Sequence, residues 1–129
     1  MAPGKMSTPL ARVRGLGAAR SGTDHFWRQR LTAVANVPLS IAFVLIVVVL
    51  LGRNHAFVVQ ILGSPLVAVV VLLFIFSITT HMRIGMQVII EDYVHDEGAK
   101  LVLIIANTFF TIAVALASAF AILMLSFKV

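Results

Sequence analysis

Three long apolar stretches, at about 33–51, 65–92 and 101–127, take up most of the chain, with only short polar segments between them. Each is close to or longer than the roughly 20 residues that an α-helix needs to cross a hydrocarbon core. Backbone inside a bilayer must satisfy its own hydrogen bonds, so each stretch is expected to be helical. The predicted fold is therefore an all-α integral membrane protein with three transmembrane helices, and 129 residues leave no room for a fourth. Composition argues against a soluble domain. Residues are 60% hydrophobic and 12% charged, against about 25% charged in a soluble globule.

The chain has no cysteine. It cannot supply thiolates to an iron–sulfur cluster, form a disulfide or build a Cys-ligated zinc site. Any redox role must use histidine, a borrowed cofactor or clusters held by another subunit.

The net charge of +5 is concentrated at one end. Lys5, Arg12, Arg14, Arg20, Arg28 and Arg30 face only Asp24 before Leu31, and the charges beyond balance one another. A basic tail can serve nucleic acid or anionic lipid, but one joined directly to a span is read more economically as a topology signal, so no nucleic-acid partner is expected. The positive-inside rule then places the N-terminus and the Glu91–Lys100 loop in the cytoplasm, and Val129 on the opposite side. We divide the chain into a flexible basic arm, 1–20, and a membrane anchor domain, 21–129. The arm lacks the apolar core of a secretory signal and shares the Arg-rich, acid-poor character of a transit peptide. Its shortness favours a bacterial inner membrane, with the mitochondrial inner membrane as the alternative.

Local signals set the expected boundaries. Ser21-Gly22-Thr23-Asp24 offers capping side chains for a helix start. Phe26 and Trp27 beside Arg28 and Arg30 form an interfacial belt. Pro38 is expected near the first turns of the first span, where a missing N–H costs least. Gly52-Arg53-Asn54-His55 reads as a turn, and Ser64-Pro65 as the next helix start. In the third span Ala113, Ala117 and Ala121 recur every four residues, a spacing that lets helices approach closely and that is also ordinary composition for a membrane helix.

The chemistry concentrates on the second span. An ionisable residue at a membrane helix centre costs about 2.5–3.5 kcal/mol on insertion scales, which makes it a functional candidate; here His81 and Arg83 both interrupt the apolar pattern. At about 100° per residue, Ser77, His81, Gly85 and Asp92 share a face within about 80°, with Tyr93 pointing elsewhere. His81 lies about 16 Å along the axis from Asp92, so an imidazole is expected well below the interface if Asp92 marks it. Imidazole is a haem iron ligand, and a glycine one turn away leaves room for a flat macrocycle. From spacing alone, a histidine bonded to a neighbouring helix and a proton-relay histidine remain open. No other histidine lies in a span, so a second axial ligand would have to come from another chain.

The run His81-x-x-x-Gly85, followed by Glu91-Asp92-Tyr93-Val94 ahead of a third span, resembles the second helix of the smaller hydrophobic membrane anchor of succinate dehydrogenase, respiratory complex II. The segment from Ser21 to Ala33 is similar to that family's approach to its first helix. The resemblance implies a helix bundle formed with the larger cytochrome b anchor subunit. That bundle would dock an iron–sulfur subunit and a flavoprotein subunit. It further implies His81 as one axial ligand to haem b, Arg30 near the haem propionates, and Ser77 and Gly85 packing beside the haem. Tyr93 would hydrogen-bond a ubiquinone carbonyl oxygen, with Asp92 as its acidic neighbour; from the residues alone a lone tyrosine at a span end is more often an interfacial anchor, and Asp92 reads also as a solvated loop acid. Arg83 departs from the family pattern, where a neutral or aromatic residue is expected.

The function so implied is a subunit of an enzyme complex with no succinate-oxidising residues of its own. A different class, a small homo-oligomeric proton or solute transporter using His81 and Arg83, and a cofactor-free assembly factor are the alternatives. Association with a flavoprotein and an iron–sulfur protein separates the first from the other two.

Overall fold

The computed structural model describes residues 8–15 and 21–127. They form helices α1 (Pro9–Val13), α2 (Ser21–Leu50), α3 (His55–Leu62), α4 (Pro65–Tyr93) and α5 (Glu97–Phe127). Three of them are long and apolar enough to cross a membrane: Thr23–Leu50 within α2, then α4 and α5. The short α1 falls inside the stretch expected to be a flexible arm; residues 1–7 and 16–20 of that arm lie outside the described residues.

Helix α2 begins at Ser21, at the expected Ser21–Asp24 start and twelve residues ahead of the first apolar stretch, because the interfacial segment through Trp27 and Arg30 is itself helical. Pro38 therefore sits in the helix interior and not near its first turns. Its missing N–H leaves the carbonyl one turn earlier without a helical donor, a defect that membrane helices accommodate. The stretch after the Gly52–Asn54 turn, read as only partly apolar, forms α3. Gly52 turns the chain at φ 70°, and the Asn54 side chain caps the new helix by accepting from Phe57 N–H at 2.9 Å. At its other end Gly63 lies so close to α5 that a Cβ there would meet the Leu125 carbonyl oxygen at 2.6 Å.

Proline at the first turn starts α4 after Ser64, and Asp96 starts α5 by accepting from Ala99 N–H at 2.7 Å. That cap places the beginning of α5 at Glu97, ahead of the expected Leu101.

Helix α4 is the middle of the molecule. It packs along α2 on one side and α5 on the other, while α2 and α5 make no comparable contact. The buried residues follow from this layout: Ala68, Val71, Ser77, Ile84 and Ile90 on α4, and Thr111 on α5. Phe43 of α2 and Phe74 of α4 stack with centroids 4.7 Å apart. The flanking helices remain largely bare, since none of the most apolar window of α2 and only 6% of that of α5 is buried. In lipid such faces carry no hydration penalty, so helix association rests on close packing and interhelical hydrogen bonds.

Three such bonds fix the register, one of them from the Ser77 hydroxyl of α4 to the Thr32 carbonyl of α2. Thr32 of α2 meets His81 of α4, and Asn107 of α5 donates to the Arg83 carbonyl at 3.0 Å. From Arg28, in the aromatic and basic belt, to Leu50 the helix rises about 33 Å, matching a hydrocarbon core of about 30 Å. The boundary therefore runs near Arg28, and His81, level with Thr32, lies about 6 Å inside it. Asp92 and Tyr93 then project beyond the hydrocarbon.

Candidate functional site

His81 is half-buried at the α2–α4 contact, with its Nδ1 3.1 Å from Thr32 Oγ1. The same hydroxyl lies 2.7 Å from the Arg28 carbonyl oxygen and 3.1 Å from that of Gln29. A hydroxyl has one proton, and these carbonyls can only accept, so the Thr32 proton goes to its own helix. In the tautomer that carries its proton on Nδ1, His81 donates to Thr32 Oγ1. In a neutral imidazole this assigns the lone pair to Nε2. A histidine held through Nδ1–H by a fixed acceptor is the usual arrangement for one whose other nitrogen binds a metal.

Ser77 and Gly85, one turn either side of His81, face the same helix. Ser77 is buried and its hydroxyl donates to the Thr32 carbonyl at 3.4 Å. A Cβ at Gly85 would stand 3.6 Å from Gln29 Nε2. The space that glycine opens is thus bordered by the Gln29 side chain of the same chain. Gln29 Oε1 is buried without a hydrogen-bond partner, as is Asn36 Oδ1 further along α2. Beside them, His25, Phe26, Gln29, Arg30, Ile84 and Val88 line an open cavity of about 280 Å³. The Arg30 guanidinium lies over the Phe26 ring, 4.5 Å from its centroid. This cavity combines a guanidinium, an orphaned amide oxygen and an apolar wall near the imidazole.

Asp92 and Tyr93 stand apart from that group. Both are exposed at the end of α4, Tyr93 by 77%, and Tyr93 lies about 18 Å along the helix from His81. The structure therefore sets His81, Ser77 and Gly85 along the α2–α4 contact, places Arg30 in the neighbouring cavity with Ile84 and Val88, and leaves Asp92 and Tyr93 as a separate outer group. Near them Gln87 Nε2 donates to Glu91 Oε1 at 2.8 Å.

Arg83 points away from His81. Residues two apart on a helix diverge by about 200°, and Arg83 lines a different cavity between α4 and α5 together with Arg28. Ala113, Ala117 and Ala121 are exposed, so this stripe takes no part in packing within the chain.

Thr32, Gln29 and Asn107 were not singled out from sequence. Each is a polar side chain in or beside an apolar run, and polar groups there find partners on neighbouring helices; that rule would have marked them. Among the described residues no three His, Asp or Glu side chains gather into a metal cage. An iron held by His81 would need its remaining ligands from a macrocycle and a second chain.

The family described as "Succinate dehydrogenase/Fumarate reductase transmembrane subunit" matches residues 4–115. The "Succinate dehydrogenase hydrophobic membrane anchor subunit" of Paracoccus denitrificans is 30% identical over 115 residues, 89% of this chain and 88% of that protein. A protein of the same description from Rickettsia bellii is 28% identical, covering 80% of this chain and 82% of its own length. A "Succinate dehydrogenase membrane anchor subunit" from Reclinomonas americana is 34% identical, over 64% of this chain and 72% of that one. No solved structure gives a significant match.

Proposed function

The chain belongs to the succinate dehydrogenase/fumarate reductase transmembrane subunit family, and on that premise we propose that His81 supplies one axial ligand to haem b while Tyr93 helps form a ubiquinone-reducing site. As a member it is a succinate dehydrogenase membrane anchor subunit, a multi-pass protein of a bacterial inner membrane. The larger cytochrome b anchor supplies the second axial histidine. The iron–sulfur and flavoprotein subunits dock on the side carrying the N-terminus, Asp92 and Tyr93, which is the cytoplasmic side by the charge bias of the arm.

One observation carries the haem assignment. Thr32 Oγ1 stands 3.1 Å from His81 Nδ1 and 2.7 Å from its own helix's Arg28 carbonyl; with the Thr32 proton on that carbonyl, His81 donates through Nδ1–H and the Nε2 lone pair is left for an outside partner. Haem b, when bound, would supply a one-electron redox centre to the complex. The residues of this chain hold and orient it. Thr32 would hold the imidazole plane and Arg30 would supply positive charge for a propionate, while Ser77 and Gly85, expected to pack beside the haem, are taken up by the contact with α2.

At the outer group a phenol O–H donates to a quinone carbonyl oxygen and stabilises the charge that develops there on reduction. Asp92, adjacent and exposed, is placed to exchange protons with water. No residue of this chain acts on succinate.

The test is affinity purification of the tagged chain from its native membrane. A flavoprotein and an iron–sulfur protein should copurify in equal amounts, with a low-spin bis-histidine haem signal by EPR that His81→Ala abolishes. Recovery as a homo-oligomer without those proteins would support the transporter reading instead. An unchanged haem spectrum in His81→Ala would remove the ligand assignment.

A further inference from the structure

The face of α4 turned away from His81 carries a second cluster that the haem and quinone roles do not use. Arg28 of α2, Thr79, Thr80 and Arg83 of α4, and Thr111 of α5 line an open cavity of about 290 Å³, which continues along Phe76, Ile112 and Ala115. Two guanidiniums thus share one groove just inside the membrane boundary. Among the described residues the only ion pair joins Lys100 to Glu97, so neither arginine has a carboxylate partner. Placing guanidiniums at this depth is costly unless an anion or the interface receives them.

We propose that this groove binds the phosphate of an anionic phospholipid, with its acyl chain lying along the apolar end. Three observations select that occupant. The first is the order of the lining, charged near the boundary and apolar further in, which is the order of groups along a phospholipid. The second is the donor inventory. The Thr79, Thr80 and Thr111 hydroxyls give their protons to the Ile75, Phe76 and Asn107 carbonyls at 2.6, 2.7 and 2.9 Å. Only the two guanidiniums remain as donors, a set suited to a singly charged phosphodiester. The third is direction. Arg83 lies about 200° from His81 on α4, and the cavity that Arg83 shares with Arg28 has no lining residue in common with the one that holds Arg30.

The experiment uses the protein purified with its accompanying subunits and placed in phosphatidylcholine nanodiscs. The probe is spin-labelled phosphatidylglycerol, with spin-labelled phosphatidylcholine as reference, and EPR reads the immobilised fraction of each. The native protein should prefer phosphatidylglycerol. That preference should fall about fivefold in Arg28→Gln or Arg83→Gln and about thirtyfold in the double variant, while Arg28→Lys/Arg83→Lys retains most of it. Millimolar inorganic phosphate should not displace the lipid, since it lacks the acyl chain. Equal immobilisation of the two lipids by the native protein overturns the proposal, as does an undiminished preference in the double variant or displacement by phosphate alone. A double variant that keeps its lipid preference but loses its haem signal assigns the pair to the cofactor instead. Should the glutamine variants fail to assemble, the native comparison and the phosphate arm still decide.

Discussion

Thr32 shows how much one hydroxyl can determine. With its proton on its own helix it accepts from His81 Nδ1–H, which sets the ring orientation and the register of α2 against α4. Thr32→Val preserves shape and removes the acceptor. Loss of an outer hydrogen bond to a ligating histidine typically costs about 10–100-fold in affinity, so haem occupancy after purification should drop. The remaining haem should show shifted g-values, because the imidazole plane is free to turn. A variant with native occupancy and g-values would show that Thr32 serves packing alone. Tyr93→Phe isolates the outer group in the same way. One hydrogen bond of about 1–1.5 kcal/mol is removed, and quinone reductase turnover should fall about tenfold while the haem spectrum, about 18 Å away along α4, stays unchanged.

At the scale of elements, the three spans were legible because long apolar runs admit one structure in lipid. The loops were less so. Eight residues from His55 to Leu62 were read only as a partly apolar stretch, since the periodicity of so short a run is weak and its helix depends on the Asn54 cap and on contact with α5. Pro38 misled in another way: its position within a helix depends on where that helix begins, and the interfacial start at Ser21 lies outside the apolar window. The contact between α3 and α5 gives a prediction. The Cβ of Gly63→Ala would meet the backbone oxygen of Leu125 at 2.6 Å, and backbone cannot yield as a flexible side chain can. Overpacking of this kind costs about 1–3 kcal/mol, so the variant should lose thermal stability in detergent without altering the haem spectrum, the site being at the other end of the helices.

The whole molecule is an open layer, α2 and α5 either side of α4, and that openness was not legible in sequence. Hydrophobic faces turned to lipid and to a partner helix look alike, since both are apolar all round. What sequence did carry is orientation, through the basic N-terminal arm, and the structure makes that prediction measurable. Helix α3 and the α4–α5 turn lie at opposite ends of the spans, so a crossing number of three puts residues near Gln60 and near His95 on opposite sides of the bilayer. The absence of cysteine lets each position be probed singly. With the arm cytoplasmic, Gln60→Cys in intact spheroplasts should react with a membrane-impermeant maleimide, while His95→Cys should react only after the membrane is opened. Both side chains are exposed on this chain, so with the soluble subunits stripped from the membrane a failure to label reports sidedness and not burial. The same labelling fixes where the soluble subunits can dock. Their iron–sulfur clusters must face Asp92 and Tyr93, and if His95→Cys labels from outside, the outer group could not receive electrons from cytoplasmic partners.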